Sequence, residues 1–118
     1  MADAGLFIGW GAPIVGREAK GLEVFNEALA YYARLQQEGV IESFETALLE
    51  PHGGELQGFI LLRGSEEGLA PLRVDDEFGR MSTRASLIVE GVGVVGAALG
   101  DGLETAITTY QQAISELT

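Results

Sequence analysis

Residues 50–54 read EPHGG and carry the only histidine of the chain, His52. Imidazole titrates near neutrality, so a lone histidine is the first candidate for a general base or a proton shuttle. Pro51, Gly53 and Gly54 around it mark a turn, where a solvated turn residue is the simpler reading. Trp10, Arg17 and Glu50 are the other groups that chemistry could use at that end of the molecule. Together they offer an aromatic platform, a cation, an imidazole and a carboxylate, which suit orienting a small polar ligand or moving a proton. Taken singly, Trp10 at the end of an apolar strand suits a core or interface, and Arg17 a solvated helix start.

A second candidate lies in SFETAL (43–48). Strand alternation puts Ser43, Glu45 and Ala47 on one face, and Glu42, Phe44 and Thr46 on the other. A carboxylate buried there without a partner would have a raised pKa and become a general-base candidate. An edge strand facing water accommodates Glu45 equally well. The candidate catalytic residues are therefore His52 and Glu45, and the candidate ligand-binding residues Trp10, Arg17, His52 and Glu45.

Several chemistries can be set aside. With no cysteine there is no thiolate nucleophile, disulfide or Cys-based metal site, and one histidine without neighbouring ligands makes a poor zinc or haem site. No metal and no cofactor are expected. Gly9-Trp10-Gly11 and Gly91-Val92-Gly93 lack the spacing of a dinucleotide fingerprint, and Ser65, Ser82 and Ser86 stand in no nucleophile-elbow context. Asp75-Asp76-Glu77 resembles a calcium cluster at a glance but suits a capped helix start better.

The chain has 118 residues, enough for one domain with a real core; 47% are hydrophobic and 21% charged. Seven Lys and Arg against 18 Asp and Glu give a net charge of −11. Such a surface repels phosphate backbones and anionic lipid, so neither nucleic acid nor membrane is an expected partner. The start, MADAGLFIGWG, lacks the basic flank of a signal peptide, and no run approaches the roughly eighteen apolar residues of a membrane span. The expectation is a soluble, cytoplasmic protein.

The elements that must position these groups follow from periodicity. LFIGW (6–10) reads as a buried strand. From Arg17 to Glu38, Leu22, Phe25, Leu29, Tyr32 and Leu35 line one helical face, and Gly39 closes the helix. On that face Tyr31 and Tyr32 cannot both point inward. Two strands, 40–50 and 55–64, flank the Pro51–Gly54 turn as an antiparallel hairpin. Ser65 starts a short helical piece broken by Gly68 and Pro71; a firmer helix follows Asp75, carries Phe78, Met81, Ala85 and Ile88, and ends at Gly91. VGVVGAALG (92–100) reads as a strand, and Asp101 caps a last helix striped by Leu103, Ile107, Tyr110, Ile114 and Leu117.

The order β-α-β-β-α-β-α is an α+β, ferredoxin-like βαββαβ arrangement with a C-terminal helix and a four-stranded antiparallel sheet ordered 4-1-3-2. Residues 1–118 form a single domain. Its sheet is apolar on both sides: Leu6, Ile8, Ile60 and Leu62 face one way, and Phe7, Phe59, Leu61 and Val95 the other. The chain's own helices cover one side. Leaving several hundred Å² of the other open forgoes on the order of 5–10 kcal/mol, so a homodimer with sheets packed face to face is expected. The rival arrangement lays the C-terminal helix across that face within one chain.

FIGWG, EVFNEALAYYARLQQEGVIESFETALL, PHGGELQGFILLRG and DDEFGRMSTRASLIVEG together resemble the dimeric α/β-barrel superfamily over nearly the whole chain. The resemblance is architectural. It implies a dimeric barrel similar to members of unassigned function that are related in fold to antibiotic-biosynthesis-type monooxygenases. Two functional readings follow. One is a homodimeric domain that binds a small apolar or aromatic ligand; the other is a cofactor-independent monooxygenase or isomerase acting on a small aromatic substrate, with His52 or Glu45 as proton acceptor and Trp10 positioning the ring. A cavity lined by Glu45, or His52 turned inward, favours the enzyme, whereas His52 facing bulk water favours the binding domain.

Overall fold

The computed structural model describes residues 3–118; the reading of the N-terminus as lacking a signal peptide falls partly on residues 1 and 2, outside that range. Eight elements follow in order: β1 (Ala4–Trp10), α1 (Glu18–Gln37), β2 (Ser43–Leu48), β3 (Gly58–Gly64), α2 (Glu66–Arg73), α3 (Asp76–Ser86), β4 (Gly93–Ala98) and α4 (Asp101–Leu117). The strands form one antiparallel sheet in the order β2-β3-β1-β4, as the handedness of the crossovers requires. This is the expected ferredoxin-like α+β fold with an appended helix. The central pair β1 and β3 align Leu6 with Leu62 and Ile8 with Ile60, so one face of the sheet is a continuous aliphatic layer.

Helices α1 and α3 cover that face. Val24, Tyr31, Tyr32 and Leu35 of α1 are buried, with Ala28 and Leu29 partly so, while Leu22 is 66% exposed. The buried face is thus rotated from the expected stripe and is wider. Tyr31 and Tyr32 are both buried, at 5% and 4% exposure, contrary to the expectation that only one could be. The reason is that α1 packs on two neighbours: Tyr32 lies 6.1 Å from the Phe44 ring on β2, and Tyr31 sits on the side where Arg34 of α1 reaches Glu77 of α3. A narrower stripe suffices only for a helix with one neighbour.

Local capping accounts for the shorter elements. Asp75 accepts from the backbone N–H of Glu77 and Phe78 at 3.0 and 3.2 Å, the N-cap expected for α3. Ser65 caps α2 by accepting from Gly68 N–H at 3.2 Å, so the expected short helical piece forms, and 66–73 runs unbroken through Gly68 and Pro71 before it stops at Arg73. Gly39 and Gly91 take the left-handed φ values, 80° and 64°, that end α1 and close the segment after α3. Asp101 does not cap α4 with its side chain. It is the first helical residue, and Gly100 stands at the cap with no side-chain hydrogen bond.

The opposite sheet face is bare. Phe7 and Phe59 stack there at 5.1 Å, beside Leu61, and Val95 is 55% exposed. Helix α4 does not lie across it. It meets its own chain mainly at β4, and Leu103, Ile107, Tyr110, Ile114 and Leu117 are 47–89% exposed. The radius of gyration, 16.0 Å, exceeds the roughly 13.5 Å of a compact chain of this length because α4 projects.

Candidate functional site

Between the covered sheet face and its helices lies an apolar cavity of about 230 Å³. Its floor is Ile8 and Trp10 of β1 with Ile60 of β3. Phe25 and Tyr32 of α1 form one wall, and Met81 and Ile88, on α3 and just after it, form the other. Trp10 and Phe25 meet edge to face, with centroids 6.0 Å apart, so two aromatic surfaces border the same space. The cavity is lined by short residues on both helices, Gly21 and Ala28 on α1 and Ser82 and Ala85 on α3. Leucine at those positions would close it, as larger residues do elsewhere in the core.

Few polar groups enter this lining. Glu18, Ser82 and Tyr32 are the ones that do, and no Lys, Arg or His is among them. Burial pushes the Tyr32 hydroxyl above its ordinary value, with the neighbouring Tyr31 adding to the effect, so it is a neutral phenol at physiological pH. Glu18 sits at the N-terminus of α1, where one carboxylate oxygen accepts the Gly16 N–H at 2.9 Å.

The residues singled out from sequence are distributed differently. Trp10 lines the cavity. The end of the sheet it shares with the 49–57 loop does assemble: Gly11 N–H donates to Glu90 O at 2.6 Å, Gln57 N–H to Trp10 O at 2.8 Å, and Leu49 N–H to Gln57 O at 2.8 Å. His52 is exposed on that loop. Its Nδ1 accepts from Gly54 N–H at 3.1 Å, which leaves Nε2 protonated to donate to Leu56 O at 2.6 Å, and the ring thereby latches the turn. Arg17 precedes α1 and lines a separate surface depression with Lys20 and Arg84. Glu50 is exposed on the loop. Glu45 is exposed on the edge strand β2, on the bare sheet face, 3.4 Å from the Arg63 guanidinium. The structure thus brings only Trp10 of these five to the cavity.

Sequence reasoning missed Phe25, Tyr32, Met81 and Ile88 as site residues because they also belong to helical stripes that read as core. The available signal was the small residues on the inward faces, Gly21, Ala28 and Ala85, where a filled core calls for larger ones. Among the described residues no cluster of His, Cys, Asp or Glu is arranged to hold a metal ion, and no helix is long and apolar enough to cross a membrane.

No family model matches the chain, and no curated protein matches it. Solved structures do. A dimeric ferredoxin-like protein of unknown function from Jannaschia sp. superposes with a TM-score of 0.63 at 14% identity, covering 81% of this chain and 99% of that one. A dimeric protein of unknown function and ferredoxin-like fold from Bacteroides fragilis gives 0.59 at 13%, covering 81% and 96%. SnoaB, a cofactor-independent oxygenase from Streptomyces nogalater, gives 0.53 at 15%, covering 84% and 95%. At these identities the likeness establishes the fold.

Proposed function

We propose that this ferredoxin-like chain is a homodimer, paired through its bare sheet faces, that binds a small, neutral, largely apolar ring compound in the cavity between sheet and helices. The observation that carries this reading is the cavity bordered by Trp10, Phe25 and Tyr32, held open by glycine and alanine where packing would place larger side chains. A dry apolar cavity of about 150 Å³ holds a benzene ring, so about 230 Å³ suits one ring with substituents or two fused rings. An anion is excluded because the lining offers no cation to pair with it, while Glu18 and a chain charge of −11 repel it, and a largely apolar lining imposes on any ion the full cost of leaving water. Ten heavy atoms at about 0.6 kcal/mol each correspond to a dissociation constant on the order of 10–100 μM.

Pairing is supported by the stacked Phe7 and Phe59 on the uncovered face and by the dimeric assembly of the two similar proteins of unknown function. Binding without catalysis is favoured over the oxygenase or isomerase reading because His52 is committed to its turn and Glu45 to Arg63, both away from the cavity. The likeness to SnoaB lies in fold alone.

Trp10 is the only tryptophan, so its emission reports occupancy directly. Titration with 2-naphthol should quench or shift that emission with saturation, and 2-naphthoate should bind at least tenfold more weakly. Replacing the short wall residues, Ala28→Leu with Ala85→Leu, should abolish the response while keeping or raising the melting temperature. Undiminished binding to the filled variant would remove the cavity as the site, and equal binding of the carboxylate would remove the neutral-ligand assignment.

A further inference from the structure

The apolar stripe of α4 repeats at 103, 107, 110, 114 and 117, spacings of four, three, four and three, which is the narrow seam of a helix that packs on another surface. None of the described residues buries it: all five side chains are about half exposed or more. A 17-residue helix containing Thr105, Ile107, Thr108, Thr109 and Ile114 is marginal by itself, since β-branched residues weaken helices and most helical stability comes from a packed face.

Its direction of departure is nonetheless fixed. Gly100 has φ 53° and ψ −126°, a conformation that side-chain-bearing residues avoid, and a Cβ on Gly102 would overlap the Asp3 carbonyl oxygen. Leu99 N–H donates to that same Asp3 oxygen at 3.1 Å, and the Leu99 side chain folds back over Gly5 on the bare sheet face. The helix therefore leaves from the edge of that face at a set angle.

Charge identifies the occupant. Residues 105–115, TAITTYQQAIS, contain no Asp, Glu, Lys or Arg, in a chain of net charge −11. The Thr105 and Thr109 hydroxyls donate to the Asp101 and Thr105 carbonyls of the helix itself, at 3.4 and 3.1 Å, which leaves little polar demand outward. An anionic membrane would call for Lys or Arg flanking the stripe, and α4 has none; a basic partner would call for acids within it. An uncharged apolar strip is where two copies of a strongly acidic chain can meet without repulsion. The similar dimeric proteins are covered nearly end to end while 81% of this chain is used, so this chain carries about a fifth more than they do, an excess the size of segment 99–118.

From this we infer that α4 is an arm that docks its Leu103-to-Leu117 stripe on a second copy of the chain, extending the interface that begins at the sheet face. The inference rests on the homodimer proposed above. Sedimentation equilibrium of the wild type and of Ile107→Gln with Ile114→Gln separates the two. A wild-type dimer whose dissociation constant rises at least a hundredfold in the variant, with the sheet retained in circular dichroism and 2-naphthol binding unchanged, is the expected result. Ile114→Ala, in the C-terminal half of α4, should weaken the dimer about tenfold and serves if the double variant fails to fold. A wild type that is already monomeric at 100 μM sinks both proposals. A dimer unaffected by Ile114→Ala sinks this one alone, whether the stripe then serves a different protein or none.

Discussion

Tyr31 shows how a single side chain can be well packed and still imperfectly satisfied. Its ring lies 5.3 Å from that of Tyr32 and beneath the Arg34 guanidinium, 5.2 Å away, but its hydroxyl is buried without a hydrogen-bond partner. Burial, with Asp75 and Glu77 nearby, pushes its pKa up to about 12 from 10.0. Because the folded chain binds that proton more tightly than the unfolded one, stability is highest and independent of this group below pH 10, and it falls as pH climbs from 10 toward 12. Tyr31→Phe keeps the ring and removes the unpaired hydroxyl, so it should leave stability at pH 7 equal or about 1 kcal/mol higher and lessen the loss above pH 10. Urea midpoints between pH 7 and 11 check both parts; Tyr32, whose pKa is also raised by burial, retains a residual alkaline loss. A variant that is less stable at pH 7 would show that the hydroxyl has a partner.

Among the elements, the 49–57 loop and the two sheet-covering helices play separate roles. The loop is held by its own groups: the His52 ring bridges Gly54 and Leu56, and the Gln57 side-chain amide donates to Gly54 O at 2.9 Å. His52→Ala should therefore cost about 1 kcal/mol in chemical denaturation and leave both dimerisation and Trp10 quenching by 2-naphthol unchanged. A loss of ligand response without loss of stability would return His52 to the site. The helices hold the cavity through positions too short to fill it, and ion pairs join α1 to α3 on the surface. Arg84 donates from Nη2 to the Glu27 carboxylate at 2.7 and 3.0 Å and Arg34 to Glu77 at 2.6 Å. Exposed pairs of this kind contribute about 0–1 kcal/mol each, so the helix spacing that keeps the cavity open is set mainly by the side chains packed beneath them.

At the scale of the whole molecule, the sheet has one face covered by helices and one face bare, with α4 projecting from the edge strand β4. In the proposed dimer each copy bears a charge of −11, so association opposes charge repulsion and is driven by apolar burial. The dimer should consequently tighten with salt: raising NaCl from 20 to 500 mM should lower its dissociation constant several-fold in sedimentation equilibrium. A dimer that loosens with salt would be one held by ion pairs, for which Glu45 and Arg63 on the bare face are the nearest candidates. Element order, strand order and the two-sided apolar sheet were legible because each rests on local signals: alternation at period two, a helical stripe, and glycine or aspartate at the ends. The width of the α1 face was not legible, since it depends on α3 packing beside it. The cavity was not legible either. A missing side chain in a stripe reads the same whether a neighbour fills the space or leaves it open, and only the distance between α1, α3 and the sheet distinguishes the two. Placing Trp10 at that opening, and His52 and Glu45 away from it, required the sum of those packing distances, which no single stretch of the chain encodes.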